Sequence, residues 1–214
     1  MNPTRRLLIA GLSLAPFAPL ARAQQRTDAE YTTLKEGFPT ETPGKIEVAE
    51  FFWYGCIHCY NLEPVLETWV PKLLSDVHFR RIPAVFNQRW ALDAAIFYSF
   101  EALGVLNKMH RPFFDSIHKD HLKTDNQAAL DEWLTNHGLD PKKVDATMKS
   151  FGVQSKVKRA AQITSASQID GTPALAVQGK FTISAEQGKT REGMLANAER
   201  LVATLRKSMS GAAK

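Results

Sequence analysis

The chain has 214 residues, a formal net charge of +5 at pH 7 and two cysteines. That length supports one core, or one core with an insertion, without disulfide staples, and a single cysteine pair would make a poor set of staples. No basic run is dense enough to argue for nucleic acid, and the first 23 residues, with three arginines and no acids, leave only about +2 on the remainder.

Residues 1–23 read as a cleaved secretory signal peptide. Arg5 and Arg6 open it, Leu7 to Leu20 is apolar, and Ala21-Arg22-Ala23 has the small-x-small form of a signal-peptidase site. The apolar run is shorter than the ~20 residues of a membrane span and holds Pro16 and Pro19. Arg5-Arg6 is also compatible with twin-arginine rather than general secretion. Export puts the cysteines in an oxidising compartment, where a disulfide persists. Gln24 to Glu30 is polar and expected to fray.

Tyr31 to Leu34 reads as a short strand and Ile46 to Trp53 as a buried one. With a period of two, Ile46, Val48, Glu50 and Phe52 share a face, so Glu50 is the one polar member of an apolar row. Gly55 ends that strand. Cys56 to Leu74 has helical apolar spacing, bent or shortened by Pro64 and Pro71. Val77 to Ile82 reads as a second long strand. From Trp90 to Phe151 the pattern is helical only, with stops expected at Gly104, Gly138 and Gly152 and a cap at Asp140-Pro141. A helix over Gln154–Ile169 follows. Strands at Ala174–Val177 and Phe181–Ser184 flank a turn at Gly179, and a last helix covers Arg191–Lys207 before a disordered tail at 210–214. The pattern predicts an α/β domain from residues 24–89 and 153–214, interrupted by an all-helical insertion over 90–152.

Cys56 and Cys59 flank Ile57 and His58. A zinc site needs more ligands than this pair, and His110, His118 and His121, beside lysines, read as solvated. A disulfide closing so short a loop stabilises weakly, whereas a strained, accessible bond suits exchange. Cys56 follows a strand-ending glycine, at the start of a helix whose unpaired N–H groups and dipole favour a thiolate. Cys59, one turn inside, should be more buried, and the His58 ring should lie near Cys56. A thiolate pKa of ~4.5 rather than ~8.5 would place ~2.5 units below pH 7. That is about 3.4 kcal/mol in favour of the reduced form, or roughly 75 mV for two electrons. Such a pair donates its disulfide.

The segment EFFWYGCIHCYNLEP resembles the active site of the DsbA-type thiol:disulfide interchange proteins of the thioredoxin superfamily. YTTLKEG is similar to that family's N-terminal segment and GTPALAV to its cis-proline loop. The resemblance implies a thioredoxin-like fold with an inserted all-helical domain. It implies that Cys56 is the cysteine attacked by substrate, Cys59 its buried partner, and Glu50 a buried acid that takes the Cys59 proton. Glu63 matches a further family acid or is a plain surface residue. Thr172 would offer backbone to an extended substrate beside cis-Pro173, with Trp53, Tyr54 and Phe86 bordering a groove. Ile57 stands where the family usually has proline, which bears on the potential, as His58 does. No metal and no cofactor beyond the Cys56–Cys59 disulfide is implied. The implied partners are reduced or unfolded exported polypeptides and a DsbB-like quinone-linked membrane oxidase, with the chain acting as a monomer. Two other readings stay open on the residues alone: a thioredoxin-like reductant, and a metal-binding or chaperone protein.

Overall fold

The computed structural model describes residues 30–212. The expected leader and the polar stretch after it, to residue 29, lie outside the described residues.

Five strands form one mixed sheet: β1 (Thr32–Thr33), β2 (Ile46–Phe52), β3 (Val77–Pro83), β4 (Ala174–Val177) and β5 (Phe181–Ser184), in the order β1-β5-β4-β2-β3. β2, apolar but for two glutamates, is buried along all seven residues. It pairs in parallel with β3 and antiparallel with β4. A parallel pair needs a crossover. Here it is α1 (Ile57–Trp69) and the 3-10 turn Val70–Lys72, and Pro64 lies inside α1 without ending it.

Between β3 and β4 run α2 (Gln88–Ala102), α3 (Leu106–His118), α4 (Gln127–Asn136), α5 (Pro141–Met148) and α6 (Phe151–Ala166); α7 (Ala185–Gly188) and α8 (Arg191–Ala212) close the chain. Gly104 and Gly138 follow α2 and α4 with φ of +70° and +77°, as helix stops. Asp140 caps α5 by accepting the Lys142 N–H, with Pro141 at the first helical position. Gly152 is not a stop. It is the second residue of α6, because the Ser150 hydroxyl accepts the Val153 N–H and starts the helix there. α6 consequently begins and ends three residues earlier than its spacing suggests. The tail is not wholly irregular either, since α8 continues through residues 210–212.

Alternation along β2 divides the core. Ile46 and Val48 pack with Leu62 and Leu66 of α1 and Leu195 and Leu201 of α8. Ala49 and Phe51 face the other way, against Ala160 and Ile163 of α6. Phe52 joins a cluster built from the helices, with Phe97, Phe100, Phe113 and Phe114, and Cys59 belongs to the same cluster. α6 bridges the two parts, its early residues Val153 and Val157 packing on Ala94 and Ala95 of α2.

The β4–β5 turn anchors the N-terminal segment. Gln178 and Gly179 both have positive φ, as a type I′ turn requires. The Gly179 carbonyl accepts the Phe38 N–H at 2.8 Å, and a Cβ on Gly179 would lie 2.0 Å from the Phe38 oxygen. Gly179→Ala is therefore expected to cost more than the ~1 kcal/mol of an ordinary glycine replacement at positive φ, measured by urea unfolding. A loss under about 0.5 kcal/mol would show that the segment does not hold this turn.

Candidate active site

Trp53 to Gly55 carry the chain from the end of β2 to the start of α1. A Cβ on Gly55 would stand 2.4 Å from the Trp53 ring, so only glycine lets that ring lie over the turn. Trp53 is fixed by its Nε1–H, donated to Asp93 at 2.7 Å, and by stacking on Trp90 at 4.4 Å. Cys56 is the N-cap of α1, half-buried, with its sulfur accepting the Cys59 N–H at 3.4 Å. Its thiol also lies 3.2 Å from the Thr172 carbonyl. The Thr172–Pro173 peptide, in the loop before β4, is cis. Cys59, one helical turn on, is fully buried.

The two thiols are displaced in opposite directions. Hydrogen bonding from the Cys59 thiol holds Cys56 down at about 5 against its own burial. The Thr172 side chain and the N–H groups of Cys59 and His58 lower it further. Burial pushes Cys59 well above the ordinary thiol range, and the neighbouring Cys56 and Glu50 add to the rise.

Glu50 is fully buried, and the parallel register sets it beside Arg81. Arg81 Nε stands 3.2 Å from Glu50 Oε2, an ion pair without hydrogen-bond geometry. Burial raises the Glu50 carboxyl to about 8; the charges of Glu63 and Cys56 push the same way, and Arg81 opposes them. Glu63 is not a surface residue. It is 1% exposed, takes two hydrogen bonds from Arg81 at 3.2 and 2.9 Å, and lies 3.3 Å from His110 Nε2. Burial opposes its ionisation, but His110 and Arg81 together hold it below the usual carboxylate range.

Two cavities flank Pro173. One, of about 570 Å³, is lined by Asp170, Thr172, Ser184 and Glu186 among others. The other, of about 400 Å³, is lined by His58, Lys189, Arg191, Glu192 and Met194. Among the described residues no helix is long and apolar enough to cross a membrane, and no group of three or more His, Cys, Asp or Glu is placed to hold a metal.

Known proteins resemble this chain in sequence and fold. The family model of the DSBA-like thioredoxin domain matches residues 74–198, a stretch that begins after the cysteines and so does not lean on them. The Thiol:disulfide interchange protein DsbA of Azotobacter vinelandii is 38% identical over 202 residues, covering 91% of this chain and 93% of that protein. The chain belongs to the DsbA family. The crystal structure of Pseudomonas aeruginosa DsbA superposes with a TM-score of 0.80 at 35% identity, over 85% of this chain and 94% of that one. The oxidoreductase NmDsbA1 from N. meningitidis gives 0.73 at 28% identity, over 90% and 97%.

Within this DsbA fold the residues singled out in the sequence fall at different distances from the sulfur. Cys56, Cys59, Thr172 and cis-Pro173 meet, and Glu50 lies close enough for its charge to act on both cysteines. His58 and Ile57 are exposed on the first turn of α1. The His58 backbone N–H is turned to Cys56, and the residue also lines the cavity beside Pro173. Of the aromatics expected to border a groove, Phe86 and Trp53 have exposed surface, but Tyr54 does not: it is 1% exposed and its hydroxyl lies 2.9 Å from His110 Nδ1. His110 and His118 are not solvated either. His110 is buried, and His118 Nε2 donates to the Tyr54 carbonyl at 2.8 Å while its ring stacks on Tyr60. Sequence reasoning missed Arg81 and His110; the one signal for Arg81 was the Arg80-Arg81 pair inside a strand.

Thiolate absorbance of the reduced protein should titrate with a midpoint near pH 5, far below the ordinary thiol value of 9.0. Because the folded value is depressed, the stabilisation of the reduced protein is complete only above about 9 and is lost as pH falls to about 5. The stability gap between reduced and oxidised protein should therefore widen from pH 5 to 9 in favour of the reduced form. A flat gap would contradict a stabilised Cys56 thiolate.

Proposed function

We propose that this chain is a periplasmic dithiol oxidase that donates its Cys56–Cys59 disulfide to newly exported, reduced polypeptides. Thiol:disulfide exchange is the chemistry of the family, and the observation that favours donation is the opposite displacement of the two thiols. A substrate thiolate attacks Cys56 Sγ; the S–S bond breaks, and Cys59 leaves and takes a proton. Glu50, protonated up to about pH 8, is the donor. A second substrate thiolate then attacks the substrate sulfur of the mixed disulfide. Cys56 leaves as a thiolate already stable at neutral pH, and two electrons stay on the dithiol. For reoxidation the Glu50 carboxylate takes the Cys59 proton back. The disulfide itself is the redox group, and no further cofactor is required.

Thr172, whose carbonyl lies 3.2 Å from the Cys56 sulfur, pairs with an extended substrate strand beside cis-Pro173. His58 and Ile57 tune the potential from the exposed turn. Among the described residues, those within 24–89 and 153–214 form the catalytic domain, and residues 90–152 form a helical domain that shields Cys59 with the aromatic cluster of Phe97 and Phe114. The leader read in residues 1–23 supports a periplasmic location. Reoxidation falls to a DsbB-like quinone-linked membrane oxidase, and the chain acts as a monomer.

Equilibration with glutathione tests this directly. The potential is expected well above the about −270 mV of a thioredoxin-type reductant, and a value near that figure would sink the oxidase. Cys56→Ser should abolish peptide oxidation. His58→Ser should lower the potential if the ring acts, and an unchanged value would leave the effect to the backbone N–H alone.

A further inference from the structure

One guanidinium serves two buried carboxylates. Arg81 gives Nη2–H to Glu63 Oε2 at 2.9 Å and Nε–H to Glu63 Oε1 at 3.2 Å, and the same Nε faces Glu50 Oε2 at 3.2 Å. A single N–H cannot serve both acceptors fully, so what Glu63 takes from Nε, Glu50 loses.

A third group bears on that division. His110 of α3 is 7% exposed, and its Nε2 lies 3.3 Å from Glu63 Oε1, the oxygen that also faces Arg81 Nε. An ionised carboxylate only accepts, so Nε2 carries the hydrogen; in the neutral ring Nδ1 then accepts the Tyr54 O–H at 2.9 Å. Burial lowers the proton affinity of His110, in keeping with a neutral ring. A cavity of about 190 Å³, lined by Glu63, Glu67, Arg81, Asn107, His110 and Arg111 among others, adjoins the group. It has room for several waters at ~30 Å³ each.

We propose that His110 is a positioning residue for disulfide exchange: by donating to Glu63 Oε1 it loosens that oxygen's hold on the Arg81 Nε–H and sets the share of Arg81 left to Glu50. The inference rests on the proton role given to Glu50 above. The charged and titratable groups around Glu50 are Glu63 from α1, Arg81 from β3, and Cys56 and Cys59; around His110 they are Tyr54, Glu63, Glu67, Arg81 and Arg111. Without the imidazole donor, Glu63 keeps Arg81 and Glu50 gives up its proton less readily. Without the Glu63 carboxylate the competition ends, and Glu50 ionises more readily.

The Glu50 carboxyl carbon can be followed against pH by NMR in oxidised, glutamate-labelled protein, with assignment by its loss in Glu50→Gln. His110→Phe keeps a ring for the edge contacts with Phe52 and Phe114 and is expected to raise the Glu50 midpoint by about half a pH unit or more. His110→Gln keeps an N–H donor and should stay near wild type. Glu63→Gln should lower the midpoint, and in that background His110→Phe should move nothing. Tyr54→Phe, which removes the donor that fixes the ring's tautomer, should shift the midpoint in the direction of His110→Phe by less, and it replaces His110→Phe if that variant does not fold. A folded His110→Phe with an unmoved midpoint overturns the proposal, as does a shift of equal size with and without Glu63. Peptide oxidation by the same wild-type sample is read separately. Its absence would refute the oxidase, whereas the Glu50 titration needs no turnover.

Discussion

Glu50 sits in a strand buried along its whole length, where an ionised carboxylate costs several kcal/mol unless it is paired. The protein answers in two ways: the carboxyl keeps its proton to about pH 8, and Arg81 stands beside it across the parallel register. Much of the active site follows from that register. A strand parallel to β2 needs a crossover, and the crossover begins with α1. The first turn of α1 carries the cysteines and its next turns bring Glu63 to the same guanidinium. The redox pair and the buried acid are thus products of one β-α-β unit.

One helical turn separates two thiols of opposite character. Cys56 caps the helix, where backbone donors converge on its sulfur; Cys59 is enclosed by the aromatic cluster that the inserted helices supply. The helix end alone would favour thiolate at the first position, and the aromatic packing alone would disfavour it at the second. Together they make one sulfur a good leaving group and the other a poor one, which is what a directional transfer requires. The packing that hides Cys59 also closes it off from solvent, and the nearby Glu50 carboxyl keeps its proton at neutral pH.

The strands, the position of Cys56 and the parity of Glu50 were legible because each depends on local spacing. Ile46, Val48 and Glu50 alternate whatever packs on them, and a glycine before a helical pattern marks a helix start wherever it occurs. Arg81 was not legible, since its role comes from pairing between strands whose register the sequence does not display. His110 lies between Met109 and Arg111 on a strongly amphipathic helix, and only the packing of α3 against α1 turns it inward to Glu63. Tyr54 looked like a rim residue because it adjoins Trp53, yet it points into the helical cluster. Gly152 misled for a simpler reason: the capping Ser150 two residues earlier outranks a glycine that any helix can carry near its start.

Ile57 shows which part of the centre its identity can touch. It occupies the first helical position, where a backbone N–H has no partner inside the helix, so proline there gives up nothing and isoleucine gains no helical bond. The backbone donors that lower Cys56 belong to His58 and Cys59, which any residue at 57 leaves in place. The side chain is 48% exposed. Exchanging proline for isoleucine therefore leaves those backbone donors in place and alters the exposed apolar surface on the first turn of α1. The backbone of α1 thus makes its contribution to the thiolate, beside those of the Cys59 thiol and Thr172, whatever stands at 57, and residue 57 can act on the centre only through its exposed side chain.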